Sequence, residues 1–154
     1  MNIFILDQNP KIAATMLCDK HVVKMIVETA QILCTVSHGL GYVEAPYRAT
    51  HKNHPCTLWV AKSRENWNWL LEHGLEMCAE YTKRYGKIHK SQAVIEWCAK
   101  IPNPPKWDKL TPFAQAMPVQ YKDSNPVVAY RNYYKGEKSS FAKWKTQSPS
   151  WWPK

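Results

Sequence analysis

Hydrophobic residues in this chain recur at helical spacing. Placed at about 100° per residue, Val22, Met25, Ile26, Ala30, Ile32, Leu33 and Val36 cover a wide apolar arc, and Val23 and Val27 extend it. His21, Lys24, Glu28, Gln31 and Thr35 fall at spacings of three and four on one narrow strip. A surface helix usually carries a broad charged face. This segment is apolar round most of its circumference, so the pattern predicts a helix buried on most sides, with its ionisable strip lining a cleft. There a carboxylate, an ammonium and an imidazole can tune one another. The plainer reading is a core helix with a wet edge, where Lys24 and Glu28 form an ordinary i,i+4 pair.

The rest of the chain reads the same way. Residues 2–6 are apolar and partly β-branched, suiting a short strand or an extended tail packed on the body. Asn9-Pro10 predicts a helix start, with Asn as cap and Pro at the first helical position, running to about Leu17. The main helix follows from Asp19 and ends near Gly39 and Gly41. Residues 42–55 lose the helical period. Residues 56–85 predict one long helix or two abutting ones, with Ser63 capping the second and Gly86 stopping it. A short helix is expected from His89 to Ala99. The Pro-rich stretch 101–106 reads as a rigid loop or linker, with a single turn at 112–116. Asn125-Pro126 starts a last helix through about Lys145, with Gly136 a kink or break, before an extended tail from Ser148. No strand alternation appears. The expected fold is mainly α: one compact helical domain over 1–154, with long irregular loops and an extended C-terminal tail.

At 154 residues the chain is long enough for a real core, and 45% hydrophobic with 21% charged residues is ordinary for a globular protein. Charge changes the picture. The net +9 favours a polyanionic partner, nucleic acid before an anionic membrane. From residue 101 onward nine basic residues face three acidic ones, which leaves +6 of that total, and they alternate with ten aromatic residues. Basic residues supply charge for phosphates, and rings suit unstacked bases. The same segment also reads as a terminal helix that packs its rings inward and wets its lysines. The start of the chain has no basic leader, its apolar run is too short for a signal peptide, and no stretch approaches a membrane span. Five cysteines, with no C-x-x-C pair, read as reduced core residues of a cytoplasmic protein.

No P-loop, G-x-G-x-x-G, H-E-x-x-H or nucleophile elbow is present. The loop Thr50-His51-Lys52-Asn53-His54-Pro55 enters a helix and suits an anion. His51-x-x-His54-x-Cys56 invites a metal reading, but no second Cys/His pair completes a four-ligand set.

Three blocks then carry a resemblance. Asp19-Lys20-His21 followed by Glu28 resembles the first long helix of the phage pyrimidine-dimer DNA glycosylases of the endonuclease V type, where an Asp-x-His triplet precedes the catalytic Glu at this spacing. His54, with the run to Cys78-Ala79-Glu80-Tyr81-Thr82-Lys83-Arg84, is similar to that family's central helix. Tyr133-Tyr134-Lys135-Gly136 resembles its aromatic, basic C-terminus. The resemblance implies a mainly α enzyme without a metal or other cofactor, which flips a nucleotide and cleaves its glycosidic bond. It implies that Glu28 supports the sugar cation and the proton transfers, with His21, Lys24 and Gln31 lining the same pocket. The family's nucleophile is the α-amine exposed by Met removal. Asn2 disfavours that removal, so the amine is that of Met1 or Lys24, or Glu28 activates water instead.

Two readings follow. One is a DNA N-glycosylase, with or without an AP-lyase step, acting through Glu28 and an amine in the cytoplasm of a bacterial or phage-infected cell. Its catalytic set is Glu28, Lys24, His21 and Met1. Its DNA contacts are Lys20, Gln31, Arg48, His51, Lys52, Asn53, His54, Lys83, Arg84 and Lys87. The other is a protein that sequesters nucleic acid or a small phosphorylated nucleotide without chemistry. A metal-dependent nuclease built on His51, His54 and Glu28 stands third.

Overall fold

A computed structural model describes residues 2–154, so the Met1 assignment lies outside the described residues. Six helices account for the regular structure, and no strand occurs among the described residues. The molecule is mainly α, as the periodicity requires.

Helix α1 (Pro10–Met16) starts where expected: the Asn9 side chain accepts from the Lys11 and Ile12 backbone N–H groups, with Pro10 at the first position. Helix α2 (Asp19–Gly39) is the long apolar segment, with twelve of its residues buried. Residues 56–85 are two abutting helices, α3 (Pro55–Lys62) and α4 (Arg64–Tyr85). They break at Ser63, whose extended backbone lets its hydroxyl accept from Asn66 N–H at 3.0 Å. Gly86 closes α4 at φ 70°, a left-handed conformation that glycine adopts without a Cβ penalty.

Three expectations are corrected. Helix α5 (Gln92–Ala99) starts three residues later than the pattern suggested. The His89 ring takes that turn instead, with Nδ1 accepting from Ser91 N–H and Nε2 3.0 Å from the Val23 carbonyl. No turn of helix forms at 112–116. The segment is tied out by Asn66, which bonds both the N–H and the hydroxyl of Thr111. A short 3-10 turn occurs further on, at Val119–Tyr121. Helix α6 (Pro126–Glu137) stops eight residues short of Lys145. Beyond it the chain turns back over the α1–α2 junction, where Trp144 Nε1 donates to the Met16 carbonyl and Lys145 N–H to Asp19 Oδ1. Capturing those rings and polar groups outweighs extending an exposed helix.

Helix α4 is the hub, touching α1, α2, α3 and α5. At Gly74 a Cβ would lie 2.9 Å from Thr29 Cγ2 and 3.2 Å from Ile95 Cδ1, so a side chain there would hold α2 and α5 away from α4. The N-terminal segment is an extended tail, not a strand, with Ile3, Phe4, Ile5 and Leu6 all buried. It packs beside α2 and α6, through Phe4 against His21, Tyr130 and Tyr134. All five cysteines are free and buried. Among the described residues no helix is long and apolar enough to cross a membrane.

Candidate active site

The polar strip of α2 is the floor of a groove, and its two ends are covered. At one end His21 is buried under Phe4 and the α6 rings. At the other, Thr35 pins the 42–54 loop: its Oγ accepts from Thr50 N–H at 3.0 Å and lies 3.1 Å from the Thr50 carbonyl. Between them Lys24, Glu28 and Gln31 face the opening.

The groove is three hollows in series. The first, about 240 Å³, is lined by Asn2, Phe4, His21, Lys24, Met25, Glu28, Tyr133 and Lys138. The second, about 400 Å³, is lined by Lys24, Val27, Glu28, Gln31 and His51. The third, about 580 Å³, is lined by Val27, Gln31 and residues 46–50, including Arg48. Lys24 and Glu28 belong to the first two, Val27 and Gln31 to the last two. Glu28 is the one carboxylate among these lining residues. Its Oε1 accepts from Asn2 N–H at 3.2 Å, and its Oε2 lies 4.0 Å from Lys24 Nζ.

Asn2 is held firmly. Its Oδ1 lies 3.1 Å from Tyr130 Oη and 3.6 Å from Cys56 Sγ, and its Nδ2 donates to the Ala116 carbonyl at 2.9 Å. A single side chain thus anchors the extended N-terminal segment to α3, α6 and the 111–117 loop, directly against Glu28. The sequence reading missed Asn2. Its residue type carries no chemical signal, and its partners lie 26 to 128 positions away.

His51 has the one positive φ among the described non-glycine residues, 49°. Its Nδ1 meets Thr50 Oγ at 2.9 Å, which aims the ring over the second hollow. A non-glycine residue in this region is uncommon and costs energy, a feature that concentrates at functional sites.

The other expected residues divide. Gln31 and Arg48 line the groove. Lys52 and Asn53 are exposed on its loop. Half-buried His54 caps α3, its Nδ1 accepting from Cys56 N–H at 3.1 Å. Burial holds its imidazole below the usual range, against the opposing pull of Glu28. Lys20 is exposed, its ammonium 4.9 Å over the Phe141 ring. Buried His21 bonds Tyr134 Oη through Nδ1 at 2.8 Å. Burial first, then the ammonium groups of Lys138, Lys24 and Lys20, push its pKa down to about 3. At neutral pH it is therefore an uncharged wall of the hollow and not a cationic acid. Lys83 faces a separate hollow with α1 and residues 146–150, and Lys87 is exposed past the end of α4.

Arg84 corrects the expectation of a DNA contact. Its side chain has no exposed surface, and it donates to Glu80 Oε1, Asp19 Oδ1 and the carbonyls of Leu17 and Thr15. No phosphate can reach it. The metal-nuclease reading also loses its support: among the described residues no three His, Cys, Asp or Glu side chains are grouped to hold a metal ion.

The body of helices thus holds one lining carboxylate, Glu28, in a groove with Lys24, Lys138 and Arg48, between the 42–54 loop and the aromatic C-terminal segment. The chain belongs to the pyrimidine dimer DNA glycosylase family, whose description matches residues 1–93. That match spans α1 to α4 and the whole polar strip of α2, and its activity class is DNA glycosylase. No curated protein and no solved structure gives a significant match to the chain.

Proposed function

We propose that this protein excises a damaged or modified base from duplex DNA, with Glu28 as the central catalytic group and an amine as nucleophile. The observation that carries this reading is the position of Glu28. It sits where two hollows of the groove meet, between the Asn2 backbone N–H and the Lys24 ammonium. A reacting sugar lodged there has a carboxylate to stabilise its developing positive charge. The amine attacks C1′ and the base departs with the glycosidic bonding pair. The C1′–O4′ bond then opens, O4′ taking a proton, and the imine formed at C1′ acidifies the C2′ proton, whose removal expels the 3′ phosphate. Glu28 carries protons in these steps. Lys24 supplies one candidate amine. The other is the α-amine at Met1. The contact between Asn2 and Glu28 favours the start of the chain. Gln31, Arg48 and His51 line the path of the strand. The proposed site of action is the cytoplasm of a bacterial or phage-infected cell, with the damaged duplex as partner.

The test is borohydride trapping on ultraviolet-irradiated duplex DNA in the presence of chelator, with mass mapping of the adduct. The expected result is a covalent adduct on the α-amine or on Lys24. Base release without an adduct would transfer the nucleophile's role to water activated by Glu28. Tight, salt-dependent binding with the DNA unchanged would overturn catalysis in favour of sequestration.

A further inference from the structure

The hollow of about 240 Å³ beside Glu28 is completed by two residues beyond the family match, Tyr133 and Lys138. Its base is aromatic. Phe4 stacks on His21 at 4.6 Å and on Tyr133 at 6.1 Å, and Phe141, outside the lining, meets His21 edge-on at 5.4 Å. Three ammonium groups stand round this base. Lys138 Nζ lies 4.8 Å from the Tyr133 centroid and 5.8 Å from that of Phe4, and Lys20 Nζ lies 4.9 Å from that of Phe141. Lys24 lines the same hollow and reaches Glu28 only at 4.0 Å. Among the described residues neither Lys20 nor Lys138 forms a salt bridge.

Ring faces orient an ammonium without neutralising it. Three cations gathered with a single carboxylate repel one another unless an anion joins them. The His21 imidazole in the wall of the hollow lies within the field of all three lysines, each of which pushes its pKa down after burial does. The hollow also opens into the next one past Lys24 and Glu28, so its natural occupant continues along the groove.

We propose that Lys138 closes, with Lys24 and with Lys20 adding charge from beside the hollow, a binding site for one backbone phosphodiester of the DNA strand whose sugar lies at Glu28. The site rests on the glycosylase reading above and extends it: the C-terminal segment supplies the substrate's anchor from outside the matched region. Lys138 is a positioning residue. It holds the strand while Glu28 meets the sugar.

The test measures binding to a labelled, ultraviolet-irradiated duplex by anisotropy across a salt series, in the Glu28→Gln background so that the duplex stays intact. Lys138→Met keeps the aliphatic stem over the rings and removes the charge. The slope of log affinity against log salt is expected to fall by about one, the loss of one phosphate contact. Lys138→Arg should keep the slope, and thermal stability should be unchanged in both. An unaltered slope in Lys138→Met, with the parent still binding, overturns the phosphate site alone. No salt-dependent binding by either the Glu28→Gln parent or the unsubstituted protein overturns the glycosylase reading with it. Lys138-dependent capture of a deoxynucleoside monophosphate, with duplex binding indifferent to Lys138, would overturn the assignment to a strand.

Discussion

Two acid–base pairs at the same i,i+4 spacing lie on neighbouring helices, and their surroundings are opposite. On α4, Glu80 and Arg84 meet at 2.8 Å with side chains 8% and 0% exposed. Arg84 is further satisfied by Asp19 at 3.1 Å and by two backbone carbonyls. On α2, Lys24 and Glu28 stand 4.0 Å apart, with Lys24 67% and Glu28 13% exposed. The first pair is a clamp joining α4 to the α1–α2 junction, and each guanidinium nitrogen of Arg84 has an acceptor. The second leaves a cation in solvent and a half-buried carboxylate at the lip of two hollows. Spacing alone cannot separate these cases, because both place a carboxylate one helical turn from a base. What separates them is the wall opposite. Arg84 faces two carboxylates and two backbone carbonyls, while Lys24 faces a groove.

The largest effect that would test this contrast is on turnover. Glu28→Gln is expected to lower single-turnover base release about a thousandfold or more, while duplex affinity and melting temperature stay near the parent's. Loss of binding along with activity would mean that Glu28 organises the groove and does not act on the sugar. Next comes Arg84→Met. Removing one partner of a buried, fully bonded pair leaves Glu80 uncompensated and should cost about 3 kcal/mol, a drop of about 10 °C in melting temperature. The salt slope of DNA binding should not change, because Arg84 faces no solvent. A changed slope with little loss of stability would reverse the assignment. The smallest effect is Lys24→Met on stability. An ion pair this exposed and this long should contribute less than about 0.5 kcal/mol, measured by denaturant titration. A cost comparable to that of Arg84→Met would make the two pairs alike.

Several parts of the candidate site were legible because they depend on local pattern. The α2 strip is a matter of helical periodicity, and the structure places Lys24, Glu28 and Gln31 along one groove as the spacing requires. Asn9, Ser63 and Gly86 acted as caps because side-chain and backbone geometry at helix ends is a near-neighbour property. Asn2 and Lys138 escaped notice for the opposite reason. Asn2 matters through Tyr130, Cys56 and Ala116, and Lys138 through Phe4 and Tyr133, none of them neighbours in sequence except Tyr133. The end of α6 is likewise hidden in the sequence, since the aromatic spacing through Trp144 continues after the helix has stopped at Glu137. Those rings serve a tertiary contact with Met16 and not a helical face.

By itself, the sequence determined a mainly α fold, the bounds of its first two helices and of the helical stretch 56–85 to within a residue or two, a basic and aromatic C-terminal third, and the one polar strip on an otherwise apolar helix. These follow from periodicity, capping and composition, which act over a turn or two of chain. Only the tertiary structure decided which charged residues are buried in bonds and which face the groove. It also decided that the extended N-terminal segment lies against Glu28, and that the C-terminal segment returns to wall the same hollow. Burial and electrostatic environment are properties of the surfaces that meet, and residues far apart in the chain supply those surfaces.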